Sequence, residues 1–159
     1  MGEKGSPLER EVFLVYHLET FIIPVLTNLP GNPKPHKKSG YLTIRQKADG
    51  KILLVAEIGN CPFSKAEKYL RLSLEKGERL FRHPKHLSSW QSRDPEKEKY
   101  GGAIVTNEFI LSFSGFREYL DEAMVLVLAE FLRWISREQA EKIAAISNNP
   151  FYRELTRRT

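Results

Sequence analysis

The side chains best suited to chemistry gather in one stretch, His83-Pro84-Lys85-His86 followed by Trp90 and Arg93. An imidazole can ligate iron or zinc, an indole can cover a flat ligand, and Arg79, Lys85 or Arg93 can neutralise carboxylates. Two histidines three residues apart supply at most half a tetrahedral metal site, and no Cys-x-x-Cys or His-Glu-x-x-His completes it, so no metal is assigned. A solvated loop pinned by its tryptophan accounts for the same residues. Cys61 lies shortly before a predicted helix start, where thiolates are stabilised. A small, partly buried, inert cysteine is the better reading. Lys34, His36, Lys37, Lys38, Arg45 and Lys47 form a basic run with no acidic residue between Glu19 and Asp49. With Tyr41 interleaved it could track a phosphate backbone, although an edge strand is also lysine-rich to block aggregation. Asp121 and Glu122 are adjacent, so on a helix they point about 100° apart and cannot share one proton-transfer task. They read as helix-start charges.

These residues need elements to hold them. Ser6-Pro7-Leu8-Glu9 has capping-box spacing with proline at the first helical position, so a helix starts there and Pro24 kinks or ends it. Residues 28–40 form a loop. Strands of alternating character, 41–46 and 51–58, flank Ala48-Asp49-Gly50 and predict a β-hairpin. Ser64-Lys65-Ala66-Glu67 is a second capping box, after which Ala66, Tyr69, Leu70, Ser73, Leu74, Gly77, Leu80 and Phe81 keep a helical period to about Arg82. Residues 83–102 form a long connection, a feature that is functional or mobile when it occurs inside a compact domain. Short β-rich runs at 103–106 and 108–113 precede a helix over 118–135, whose apolar stripe is wide enough for burial on more than one side. That helix is either central to the core or part of a dimer interface. Ser136-Arg137-Glu138-Gln139 caps a last short helix to about Ile146.

The order α-β-β-α-β-β-α plus a short C-terminal helix predicts an α/β (α+β) domain with a single antiparallel sheet flanked by helices. It spans 1–159, with 1–5 and 150–159 expected as flexible tails. A parallel nucleotide-binding sheet is disfavoured, because no strand-to-helix turn carries G-x-G-x-x-G or a P-loop. Composition sets the outer bounds. The chain has 159 residues, 41% of them hydrophobic, enough for one core and too many for disorder. Its formal charge of +5 is a mild basic excess that favours anionic partners without naming one. The lone cysteine excludes an internal disulfide and suits a reducing compartment. No apolar run approaches the roughly 20 residues of a spanning helix, and the N-terminus lacks the pattern of a secretory signal. The expectation is a soluble, cytoplasmic protein without a membrane.

The stretch Gly101-Gly102-Ala103-Ile104 through Phe113-Ser114-Gly115, then five residues, then Asp121-Glu122, resembles the signature region of the GlcG/HbpS-like family, described as haem-degrading or haem-binding. In that family a glycine-rich strand pair ends in Ser-Gly and an Asp-Glu opens the last long helix. The chain departs from the pattern at Val105-Thr106, and where bulky Tyr69, Leu70, Arg71 and Arg79 replace an alanine-rich helix. The resemblance implies the fold above and a homo-oligomer, with haem as a conceivable cofactor.

The leading expectation is a non-enzymatic protein that binds a small anionic ligand, or an accessory protein. Its pocket would be framed by the long loop and the glycine-rich hairpin: His83, Lys85, His86, Trp90, Arg93, Tyr100, Gly101, Gly102, Ser114 and Gly115. Trp90 and Tyr100 would form the wall, Lys85 or Arg93 would hold the anion, and a histidine is an optional axial ligand. Two alternatives stand beside it. One is an enzyme with His83 or His86 as general base or Cys61 as nucleophile. The other is a nucleic-acid-contacting module using Lys34 to Lys47.

Overall fold

A computed structural model describes residues 7–159. Ser6 of the first capping box and residues 1–5 lie outside the described residues. Helix α1 spans Pro7–His17, a π-helical turn follows at Leu18–Ile22, and α2 covers Ile23–Thr27. The π turn explains how the chain stays helical past Pro24. Ile23 N–H donates back to Leu18 O, and Pro24 falls in the first turn of α2, where its missing N–H is not required.

The first hairpin pairs β1 (Gly40–Gln46) with β2 (Ile52–Ile58) antiparallel, and Gly50 takes the left-handed conformation the turn needs, φ 74°. Helix α3 (Phe63–Phe81) follows, then β3 (Ala103–Val105), β4 (Phe109–Ser114) and α4 (Glu118–Phe131). The sheet order is β2-β1-β4-β3 and every pairing is antiparallel, as the α/β reading with one sheet requires. β1 is therefore an inner strand, and the protection of an edge does not explain its basic residues.

Alternation along the strands sorts two faces. Leu42 and Ile44 of β1, Ala56 and Ile58 of β2, and Leu111 and Phe113 of β4 join the main core under α1, α2 and α4. The other face, under α3, combines a second apolar cluster of Leu80, Ala103 and Ile110 with a run of small polar side chains. Thr43 Oγ1 lies 3.1 Å from Ser73 Oγ, and Ser112 Oγ donates to Ser73 O at 2.7 Å. Gly77 allows the close approach, since a Cβ there would stand 3.1 Å from Arg45 Nε. Helix α4 is buried continuously from Leu120 to Ala129, which makes it the central element of the core, and only its end, at Phe131, is half exposed.

Two expectations at helix boundaries change. Ser64 does not cap α3. The N-cap is Pro62, whose carbonyl accepts the N–H groups of Lys65 and Ala66, so the helix begins at Phe63 without a side-chain cap. Residues 150–159, expected as a tail, instead carry α6 (Tyr152–Arg158), because Tyr152 and Leu155 are two apolar anchors that bury in the core. Helix α5 (Arg137–Ser147) does start with the expected reciprocal capping box of Ser136 and Gln139. Among the described residues no helix is long and apolar enough to cross a membrane.

Candidate functional site: a cationic cleft over a buried lysine–aspartate pair

On α3, Ser73, Lys76, Gly77 and Leu80 recur at the spacing of the face that meets the sheet, so Lys76 is carried into the interior. On α4, Asp121 in the first turn faces it. Lys76 Nζ donates to Asp121 Oδ2 at 3.0 Å and to Phe113 O, at the end of β4, at 2.9 Å. Both side chains are 2% exposed. Asp121 Oδ1 accepts the Phe116 N–H at 2.9 Å, which ties the turn between β4 and α4 to the same carboxylate. Burial pushes the Asp121 carboxyl up to about 6, while Lys76 and the Phe116 N–H pull the other way. An ammonium has three N–H donors, and these contacts use two.

Gly102 closes the pair from above. It sits at φ 123°, and a Cβ there would lie 2.8 Å from Lys76 Nζ and 2.9 Å from Asp121 Cβ. The neighbouring Gly101 N–H donates to Glu118 Oε1 at 3.0 Å. The two glycines thus bring the backbone of the second hairpin directly over the charges.

The pair forms part of the lining of a cleft of about 380 Å³. Five cations line it, Lys37, Lys68, Lys76, Arg93 and Arg117, against two carboxylates, Glu118 and Asp121. Both carboxylates are already engaged. Glu118 takes a bidentate pair from Arg93 at 2.6 and 2.8 Å, and Asp121 takes Lys76. Lys37 and Arg117 form no salt bridge among the described residues; Lys37 acts on the Asp121 carboxylate only through longer-range attraction and stands 5.9 Å over the Tyr69 ring. Tyr69, Tyr100 and Tyr119 supply aromatic wall. The Arg93 guanidinium is braced on Trp90, 4.8 Å from its ring, and Trp90 in turn packs on Tyr119 at 4.5 Å.

Of the residues expected at the site, Arg93, Tyr100 and Ser114 line this cleft, Gly101 and Gly102 press on its carboxylates, and Trp90 braces Arg93. Gly115 packs against the backbone of Ser39 and Gly40, beside a neighbouring depression. The structure does not bring His83, Lys85 and His86 to the cleft. Lys85 is exposed, and the two imidazoles stack on each other with centroids 4.7 Å apart. His83 Nδ1 lies 2.7 Å from Arg79 O, and His83 lines a separate depression with Arg79 and Glu78. The long connection that carries them is shaped by 3₁₀ turns at Ser89–Ser92 and Pro95–Lys97, the first closed by a Ser88–Gln91 capping box.

Sequence reasoning missed Lys76; it placed Asp121 in the helix's first turn, where it stands, but read neither Asp121 nor Glu122 as buried. All three are buried, and Glu122 is an internal anchor: it accepts Ser88 Oγ at 2.6 Å, Ser147 Oγ at 2.5 Å and Asn149 Nδ2 at 3.1 Å, joining the long connection to α4 and α5. Burial raises its pKa, and the three donors oppose that rise. The available signal was position. Lys76 lies three residues after Ser73 and four before Leu80, on the stripe already read as buried.

One version of the enzyme alternative, a Cys61–histidine pair, loses its geometry, and the basic run loses one of its six members. The whole of α3, 19 residues, separates Cys61 from His83, and at 1.5 Å per residue this is roughly 28 Å, far beyond proton-transfer reach. Burial also pushes the Cys61 thiol up, against a hydrogen bond with Ser39 that lowers it. In the basic run, Arg45 turns inward and donates to Leu74 O and Gly50 O, so it presents nothing to a phosphate backbone. Among the described residues no histidine lines the cleft, so the optional histidine axial ligand is not supplied there. No family model, no curated protein and no solved structure matches this chain.

Proposed function

We propose that the protein is a non-enzymatic binder of a small anionic ligand, held in the cleft above Lys76 and Asp121. The observation that carries this reading is the imbalance of the cleft: five lining cations meet two carboxylates that Arg93 and Lys76 already occupy, and with Lys68 paired to Glu98, Lys37 and Arg117 are left without a salt bridge among the described residues. An anionic oxygen placed on the spare Lys76 N–H would gain a charge-assisted bond in a site with little water to compete. Lys37 and Arg117 would close on its outer side, and Tyr69, Tyr100 and Tyr119 give apolar contact to the rest of the molecule. The volume of about 380 Å³ falls in the range of small-molecule pockets.

Kinship with the GlcG/HbpS-like family is part of the proposal. It is supported by the way its quoted residues converge, Gly102 resting on Asp121 at the exit of β4. The reading also takes the chain to be a homo-oligomer, supported by a helix α1 that is apolar on two sides.

Calorimetric titration at low salt with sulfate and with benzoate tests the binding reading. One anion should bind per chain, with at least tenfold weaker affinity in Lys76→Met. The double variant Lys37→Gln/Arg117→Gln, which alters only the outer side, should weaken it as well. Absence of binding to the wild type, or unchanged affinity in both variants, overturns the reading.

A further inference from the structure

Helix α1 is apolar where it meets the core and apolar where it does not. Leu14 and Leu18 are buried in the core, whereas Val12, Phe13 and Tyr16 face outward and Phe21 extends the same side from the π turn. A surface helix ordinarily turns one apolar stripe inward and keeps polar residues outside; one that is apolar on nearly all sides belongs in an interior. Phe13, Tyr16, Phe21 and Phe131 of α4 are between 47% and 56% exposed and Val12 is 61% exposed. The rings are organised, not scattered. Phe13 stacks near Phe131 at 6.1 Å, His17 lies flat on Phe131 at 3.6 Å, and Tyr16 meets Phe21 edge-on at 5.9 Å. They wall a groove of about 540 Å³ between α1, α4 and α6.

We infer that this aromatic face of α1 and α4 is the interface through which two copies of the chain associate about a two-fold axis. The inference rests on the homo-oligomer reading above and gives it a surface. Area supports a second copy. Four aromatic side chains at roughly 200 Å² each, left half exposed, present about 400 Å² of apolar surface before Val12 is added. A standard interface buries about 800 Å² per partner, of which about 65% is apolar in homodimers, so the patch is of the size that one side of a dimer needs. A two-fold axis lets the same patch serve both partners.

Charge argues against a bilayer as the occupant. α1 carries Glu9 and Glu11 against Arg10, and Arg137, the one Lys or Arg among the described residues lining the groove, is paired with Glu130 at 2.7 Å. An interfacial membrane helix has the opposite rim, basic and free.

Sedimentation equilibrium of the full chain over a range of concentrations tests the inference, with Phe13→Glu and Tyr16→Glu as variants. Both side chains are half exposed, so circular dichroism should report an unchanged fold. The wild type should be a dimer, and each variant should weaken dimerisation at least tenfold. A dimer that persists unchanged in both folded variants overturns this surface and leaves the homo-oligomer reading standing. A monomeric wild type overturns both, and co-sedimentation of that monomer with phosphatidylcholine vesicles would assign the patch to a membrane instead.

Discussion

A buried ammonium and a buried carboxylate each carry a desolvation cost of several kcal/mol, which only close pairing and further hydrogen bonds offset. The Lys76–Asp121 pair meets that demand with Phe113 O on one side and the Phe116 N–H on the other. It still leaves the Asp121 carboxyl at about 6, above its ordinary 3.8, because burial outweighs Lys76. Between those values the folded chain keeps a proton that the unfolded chain has released, so the contribution of Asp121 to stability falls as pH rises from about 4 to about 6. The same titration governs ligand affinity. Below about pH 6 the carboxyl is neutral and the ammonium is left unbalanced, while Glu118 stays committed to Arg93 and, among the described residues, no histidine lines the cleft. Sulfate affinity should therefore increase as pH drops from 7 to 5. Carbon-13 detection of the Asp121 carboxyl should show a midpoint near 6; a midpoint near 4, or affinity that falls with acidification, contradicts this account.

At the scale of elements, the hairpins and most helices were legible because their signals are local. Thr43 and Arg45 alternate with Leu42 and Ile44, and that alternation alone separates the face under α3 from the main core. Capping signals were uneven, since spacing shows only that a serine can cap. Ser136 accepts the Gln139 N–H, but Pro62 enters α3 in extended geometry and supplies its own carbonyl, which leaves Ser64 outside the helix-start hydrogen bonds. Urea denaturation should accordingly separate the two: Ser136→Ala should cost about 1 kcal/mol, the usual value of an N-cap hydroxyl, and Ser64→Ala less than about 0.5 kcal/mol. Equal costs would mean that the caps are wrongly assigned. The candidate site was only half legible for a related reason. Arg93, Tyr100 and the glycines lie in a stretch that looks unusual by itself, whereas Lys76 looks like any lysine until its partner on α4, 45 residues away, is known. Charges are exposed by default, and nothing local says which one is not.

For the molecule as a whole, the C-terminal residues and the cleft show how tertiary packing decides what sequence leaves open. Asn148-Asn149-Pro150 stops a helix, and residues 150–159 read as a flexible tail. Tyr152 and Leu155 bury in the core with α4, and Tyr152 Oη also donates to Glu130. Removing residues 150–159 should then cost about 4 kcal/mol in denaturation experiments, from roughly 1.5–3 kcal/mol for each buried apolar side chain. A loss below about 0.5 kcal/mol would show α6 to be dispensable. The cleft depends on the same assembly, since α3, the 83–102 connection, the second hairpin and α4 each contribute to its lining. Its claim to function is tested most directly by following backbone amide resonances through a sulfate titration. The account predicts saturable shifts that are largest at Gly101, Gly102, Phe116 and Lys37 and are lost in Lys76→Met. Shifts centred on His83 and His86, or no saturable shifts at all, would contradict it.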